Sequence, residues 1–481
     1  MTNSCCSTEE TSCDASQKHL VIIGGGSAAF AAAIKASSLG AKVTLINEGL
    51  PIGGTCVNVG CIPSKAMIRA AEAHYHASHP RFDGITSTGQ VTDFGAVTAQ
   101  TRHLVEELRQ KKYLDVVADL PDFRMVQGRA RLVNERTVAV NGEQISADRI
   151  LLATGVSTQL PSVEGLADSG YLTNETLFEL NELPESVIVL GGRYIALELG
   201  QMLQRLGSKV TILQRSKRII PDEAQELTDT LTEFLRDEGI KIETGVHIDH
   251  VRRDKGRVAI EAQVDGEARL FTASHLLVAT GRRANTQDMG LEALGVALDA
   301  NGHVIVSDAL ETNAPTIYAA GDVVGEPLYV YTAAYEGALA AENALTDASR
   351  KRDYTALPWV MFTDPQVAGV GLDEKQAEQL GIQAEATTLP LDQVPRCVAA
   401  RDTRGFVTLI REVPTDKIIG ARILAPEGSE LTMEISLAIK YGVTATELAS
   451  SFHPYLTLSE AIKLAAITFR KDVGKLSCCA V

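Results

Sequence analysis

The sequence predicts an α/β protein of three parts: two Rossmann-like units, followed by an α+β C-terminal domain. Three observations predict it. An apolar run ends in a glycine cluster twice, at residues 24–26 and 191–192. Each cluster opens a helical stretch that leads to a second apolar strand. From about Tyr354 the glycine turns stop and strands of alternating pattern take over.

The first unit begins with the apolar run His-Leu-Val-Ile-Ile at 19–23. Gly24-Gly25-Gly26-Ser27-Ala28-Ala29 follows at once, then an Ala-rich stretch, then Lys42-Val43-Thr44-Leu45-Ile46. A strand–turn–helix–strand within about 30 residues is the context that makes a glycine motif a Rossmann-like dinucleotide site. The glycines permit a tight turn and close backbone approach, and the helix N-terminus faces a pyrophosphate. The pattern recurs as Ser186–Leu190, then Gly191-Gly192-Arg193-Tyr194-Ile195-Ala196, a helix, and Lys209–Leu213. Two such units imply two nucleotide cofactors. Further strands end in Ala153-Thr154-Gly155, Ala279-Thr280-Gly281-Arg282 and Ala320-Gly321-Asp322. They read as strands that close each unit or re-enter the first. The first nucleotide domain is therefore expected to be discontinuous, over 19–155 and 285–350, with the second inserted at 156–284. Residues 405–410 and 418–423 suggest an antiparallel sheet in a third domain, 351–481, suited to an interface. Residues 1–18 read as a flexible tail containing cysteines.

Composition narrows the function. The formal net charge of −16 argues against nucleic acid or an anionic membrane as main partner, since both require a basic face. No apolar stretch reaches the ~20 residues of a membrane span. Met1 to Lys18 lack the basic start and apolar run of a signal peptide, so a cytosolic location is expected. Structural disulfides are rare there, and the eight cysteines are expected to be reactive, metal-binding or idle. They fall as Cys5, Cys6 and Cys13, the pair Cys56 and Cys61, Cys397 alone, and Cys478 with Cys479. Cys397, after Pro395-Arg396 in a predicted loop, reads as structural. The ten histidines show no spaced set, so no zinc or iron site is expected.

The most specific signal is Cys56-Val57-Asn58-Val59-Gly60-Cys61. Residues five apart on a regular helix have Cα atoms roughly 8–9 Å apart, whereas a disulfide needs about 4.4–6.8 Å. The pair bridges only if the chain is distorted, and Gly60 supplies that freedom. Pro63 suits the first turn of a helix running on through Lys65. Thiols at a helix N-terminus have lowered pKa values, which supplies thiolate near neutral pH.

The string Gly-Gly-Thr-Cys-Val-Asn-Val-Gly-Cys-Ile-Pro-Ser-Lys at 53–65 resembles the redox-active signature of flavoprotein disulfide reductases, the class I pyridine nucleotide–disulfide oxidoreductase family. The order of motifs resembles that family from residue 19 onward. The resemblance implies FAD held by Gly24, Gly26, Ala29, Glu48, Gly49, Gly54, Thr55, Lys65, Ala130, Thr154, Gly155, Asp322 and Val330. It implies a nicotinamide cofactor at Gly191, Arg193, Arg215, Arg218 and Gly281. Cys61 would be the charge-transfer thiolate and Cys56 the exchanging thiol. Lys65 would lie near flavin N5, paired with Glu198, and Tyr194 would be an aromatic lid that moves when nicotinamide stacks. A homodimer is implied, with active sites built from both subunits.

Charge selects the nicotinamide cofactor. An acid after the second strand grips a ribose 2′-OH, whereas arginine suits a 2′-phosphate. After Leu213 come Gln214, Arg215, Ser216, Lys217 and Arg218 with no acid, which favours NADPH. The first unit offers Glu48 for the ribose of FAD. Asn47 precedes it, so that strand is expected to run one residue longer. Arg193 stands where the motif has its middle glycine.

Disulfide-reducing members of the family carry a C-terminal His five residues before a Glu. Aligned on Glu460, that position holds Tyr455, and His453 lies two residues too early. A phenol of pKa about 10 is a poor base at neutral pH but a usable donor or metal neighbour. Tyr455 together with the terminal Cys478-Cys479 resembles the branch of the family that reduces mercuric ion. Hg(II) is soft and prefers thiolates. The resemblance implies capture of the thiol-bound ion by Cys478 and Cys479, transfer to Cys56 and Cys61, and reduction to Hg(0). The alternative is an NAD(P)H-dependent disulfide reductase or a dihydrolipoamide dehydrogenase.

Overall fold

The computed structural model describes residues 17–475. Cys5, Cys6, Cys13, Cys478 and Cys479 lie outside the described residues. The chain forms two compact units. One takes the residues up to Asn58, Leu108–Ser157 and Arg283–Arg352; the other takes Val59–Glu107, Thr158–Arg282 and the residues from Asp353.

In the first unit a five-stranded sheet runs in the order Ile317–Ala319, Arg149–Leu152, His19–Ile23, Lys42–Asn47, Phe123–Gln127. All its pairings are parallel. Parallel strands are covered on both faces and read as unbroken apolar runs. Leu20 and Ile22 accordingly enter one core cluster, while Val21 and Ile23 enter another. The helix Ser27–Ser38 buries five alanines. Their small size lets the helix Val330–Leu345 approach closely, and a Cβ on its Gly337 would stand 2.0 Å from the Ala28 carbonyl oxygen. Pairing of 317–319 with 150–152 brings a late segment into the first sheet.

The second unit holds a parallel sheet ordered Lys241–Glu243, Lys209–Leu213, Ser186–Leu190, His275–Val278. A three-stranded antiparallel sheet spans Val246–Asp254, Arg257–Val264 and Glu267–Ala273. A five-stranded antiparallel sheet follows, ordered Pro358–Met361, Gln366–Gly371, Ile418–Ala425, Phe406–Glu412, Ala384–Pro390. Two expected strands of the C-terminal part are among these. Met67, Ile68 and Ala71 of the helix Cys61–Ser78 bury in the same core as Leu197, Met202 and Leu203. That packing groups residues 59–107 with the second unit, not with the rest of the expected 19–155 segment. Cys397 lies in a short helix, Pro395–Ala399, where a loop was expected, because Pro395 sits at its first turn. Among the described residues no helix is long and apolar enough to cross a membrane.

Candidate active site

The first glycine turn is shaped by contacts that exclude side chains. Gly24 has φ +129°, and a Cβ there would stand 2.1 Å from the Ala153 carbonyl oxygen. A Cβ on Gly25 would meet Asn47 Oδ1 at 2.3 Å. Beside Gly26 the nearest atom is Gly54 Cα at 3.8 Å, which leaves room at the start of the helix Ser27–Ser38. That helix has no side-chain cap and no acidic residue in its first turn. Its leading N–H groups are therefore free of a competing side-chain acceptor, the arrangement that receives an anion. Ala29 is fully buried at the third motif position. The strand does run on to Asn47, and the exposed Glu48 follows, its carboxylate 3.9 Å from Arg129.

Other expected residues border the same sheet end. Thr154 and Asn285 clamp each other, Thr154 Oγ1 donating to the Asn285 carbonyl at 2.7 Å and Asn285 Nδ2 to the Thr154 carbonyl at 3.0 Å. Gly155 has φ +65° with open space where a Cβ would lie. Gly321 donates its N–H to Glu336 Oε2 at 2.7 Å and directs the half-buried Asp322 into a short turn. Ala130 is buried, and Gly49 is exposed beyond Glu48. Val330 opens the helix Val330–Leu345. The open, uncapped turn fits the pyrophosphate of a dinucleotide such as FAD.

The cysteines occupy consecutive helices. Gly54–Asn58 carries Thr55 and Cys56, and Cys61 is the first residue of the 18-residue helix Cys61–Ser78. The chain departs from helical geometry at Gly60, where φ is −121° and ψ −112°. Asn58 secures the end of the first helix, donating to the carbonyls of Pro51 at 2.8 Å and Gly54 at 2.8 Å and accepting from Arg109 at 3.0 Å. Asn174 Nδ2 donates to the Val59 carbonyl at 3.0 Å. Both cysteines are half-buried. Cys397 is buried in the C-terminal core, where burial pushes its thiol up to about 11.

One helical turn past Cys61, Lys65 Nζ sits 2.6 Å from Glu198 Oε2. The other Glu198 oxygen accepts the Phe362 N–H at 2.8 Å, and the Lys65 ammonium lies 4.8 Å from the Phe362 ring centroid. The expected pair is formed, and Phe362 is a third member that sequence pattern did not single out.

The second glycine turn repeats the first. Gly191 has φ +116°, and a Cβ there would meet the Ala279 carbonyl oxygen at 2.3 Å; a Cβ on Gly192 would meet Gln214 at 3.0 Å. Gly281 has φ +137°. Arg193 precedes the helix Tyr194–Leu206, which has no side-chain cap, and its guanidinium pairs with Asp222 at 2.5 Å. Arg215 is exposed, whereas Arg218 turns inward, donating to Thr228 Oγ1 at 3.1 Å and the Pro221 carbonyl at 3.2 Å. Tyr194 stacks on Trp359, ring centroids 5.7 Å apart.

Near the C-terminus Tyr455 is 51% exposed. Glu460 is buried and its Oε2 accepts the Leu456 N–H at 3.3 Å. The His453 side chain, 6% exposed, is held by Glu434 at 2.6 Å.

Comparison with known proteins agrees with this arrangement. The family model described as pyridine nucleotide-disulphide oxidoreductase matches residues 18–337, and the model of its dimerisation domain matches residues 357–466. A mercuric reductase of Streptomyces lividans is 45% identical over 96% of this chain and 98% of its own length. One of Bacillus cereus is 41% identical over 96% of this chain and 73% of its own. Among solved structures, the HOCl-induced flavoprotein disulfide reductase RclA from Escherichia coli superposes with a TM-score of 0.84 at 28% identity, covering 94% of this chain and 100% of that one. With both family models matched and the glycine turns and Lys65–Glu198 pair in place, the chain belongs to the pyridine nucleotide-disulphide oxidoreductase family.

Proposed function

We propose that this protein reduces thiol-bound Hg(II) to Hg(0) with two electrons from NADPH, using FAD and the Cys56–Cys61 pair. The observation that carries the reading is the continuous match to proteins named mercuric reductase, 41–45% identical across about 96% of the chain. Per turnover, NADPH and one proton are consumed, Hg(0) leaves, and two thiolate ligands become thiols. FAD, when bound, supplies the two-electron carrier between nicotinamide and sulfur.

The chain's own residues bind, orient and deliver. The uncapped turn at Gly24, Gly26 and Ala29, with Glu48, Gly49, Gly54, Thr55, Ala130, Thr154, Gly155, Asp322 and Val330, would hold FAD. Gly191, Arg193, Arg215 and Gly281 would hold NADPH, with Arg218 bracing the segment beside them through Thr228 and the Pro221 carbonyl and Tyr194 as the ring that yields to nicotinamide. Cys61, the first residue of a long helix, would be the charge-transfer thiolate, and a helix N-terminus is a favourable end for that charge. Lys65, fixed by Glu198, presents a positive charge one turn on. Cys478 and Cys479 of the partner subunit would collect the ion and pass it by ligand exchange to Cys56 and Cys61, beside Tyr455 and with Glu460 bracing the loop. In this reading 19–155 with 285–350 serves FAD, 156–284 serves NADPH, and 351–481 makes a cytosolic homodimer with shared sites. Disulfide reduction is disfavoured because Tyr455 stands at the base position and His453 is engaged by Glu434.

The test is NADPH oxidation by the flavin-loaded enzyme with Hg(II) in excess thiol, against oxidised glutathione and lipoamide. Only Hg(II) is expected to stimulate it strongly. Cys478→Ala with Cys479→Ala should abolish turnover of thiol-chelated mercury while flavin stays bound. Full activity in that double variant removes the terminal pair from the mechanism, and faster turnover of a disulfide overturns the substrate.

A further inference from the structure

Trp359, Gly369 and Arg422 lie in one cross-strand row of the antiparallel sheet: Trp359 pairs with Gly369, and Gly369 with Arg422. Directly paired residues point to the same sheet face. Gly369 has nothing to place there, and a Cβ would stand 2.7 Å from the indole carbons. The indole therefore lies across the glycine toward Arg422, whose guanidinium carbon is 5.8 Å from the ring centroid. The same indole stacks with Tyr194, the planes 14° apart and the centroids 5.7 Å apart.

The row is anchored to the second glycine turn by two neighbouring acids. Glu223 Oε2 accepts from Arg422 Nε at 2.8 Å, and Asp222 pairs with Arg193, the residue just before Tyr194. Arg193 and Tyr194 are thus tied to Arg422 and Trp359 through one short segment and one aromatic stack. Arg422 is buried, so its partner holds it in place without competition from solvent.

We propose that Trp359, seated on Gly369 and Arg422, is a positioning residue that sets the resting place of Tyr194, and that NADPH must break the Tyr194–Trp359 stack to bind. This rests on the reading of Tyr194 as the ring that nicotinamide displaces. A contact present only in the closed state opposes binding to the open one, so removing it raises the competent fraction and tightens the dinucleotide. An aromatic pair of this kind corresponds to about two- to tenfold in affinity.

The test titrates the flavin-loaded enzyme with NADP+, which binds without turnover, and follows flavin absorbance and the emission of the chain's single tryptophan. Indole emission should change with the midpoint of the flavin signal. Trp359→Leu should bind NADP+ about two- to tenfold more tightly, and Gly369→Ala, which keeps the indole but lifts it, should do the same. In a Tyr194→Ala background Trp359→Leu should have no effect. NADP+ binding with a silent indole, or an equal Trp359→Leu effect without Tyr194, overturns this proposal alone. Failure of the unmodified enzyme to bind NADP+ overturns both this proposal and the assignment of the second turn.

Discussion

Arg215 and Arg218 look equivalent in sequence, and the structure separates them. Arg218 spends its guanidinium on Thr228 and on the Pro221 carbonyl, while Arg215 is exposed. A charge-assisted hydrogen bond to a phosphate contributes about 1.5–3 kcal/mol, which is at least tenfold in affinity. Arg215→Ala is therefore expected to raise KM for NADPH by about tenfold or more and to leave KM for NADH nearly unchanged. Arg218→Ala is expected to lower the melting temperature first, because it deprives the segment that carries Asp222 and Glu223 of its tether. Steady-state kinetics with both cofactors, beside thermal melts, separate the roles. An Arg218→Ala enzyme of undiminished stability whose NADPH KM rises as far as that of Arg215→Ala would reverse them.

At the scale of elements, glycine marks both the legible and the illegible parts of the fold. The turns at Gly24 and Gly191 were readable because a local run fixes them: apolar strand, turn, helix, strand. Gly337 was not, because its reason is a helix far earlier in the chain, whose Ala28 carbonyl oxygen would stand 2.0 Å from any Cβ at that position. Within a helix, alanine for glycine normally gains about 0.5–1 kcal/mol. Here both surfaces are backbone and neither yields, and overpacking costs about 1–3 kcal/mol or more. Gly337→Ala is thus expected to destabilise, by at least about 1 kcal/mol net, seen as a lower denaturant midpoint with unchanged slope. A midpoint that rises would mean the two helices separate readily. The same distinction explains the candidate site. Cys56, Cys61 and Lys65 share one short string, and Glu198 came only from resemblance. Phe362, Asn174 and Trp359 reach the site by cross-strand register and packing, which no local period reports.

At the scale of the molecule, distant stretches of the second unit converge on one buried carboxylate. Asp364 accepts from Arg205 at 2.9 Å and Arg404 at 2.8 Å, with His76 at 3.5 Å. Arg205 also binds Glu238 at 2.7 Å, and Arg404 binds Asp402 at 2.8 Å, which in turn pairs with Arg81 at 2.7 Å. Gln201 satisfies the Asp364 backbone on both sides, N–H and carbonyl each at 2.8 Å. The network joins the helix that begins at Cys61, the helix that begins at Tyr194 and the segments flanking the antiparallel sheet. Burial alone would raise the Asp364 carboxyl, but His76, Arg404 and Arg205 outweigh it and hold the group well below the usual carboxylate range. A carboxyl whose folded pKa is depressed adds stability that is fully present above its unfolded value of about 3.9 and is lost as pH falls through the lower folded value. Removing one partner of a buried ion network costs about 3–5 kcal/mol because the remaining charges stay buried. Asp364→Asn is therefore expected to lower stability by about that amount at neutral pH, and the gap to the unmodified protein should narrow as pH drops below about 4. Urea midpoints at a series of pH values measure both proteins directly. A gap of constant size across the acid range would show that the proton on Asp364 has no part in it, leaving shape alone as the reason the carboxylate is there.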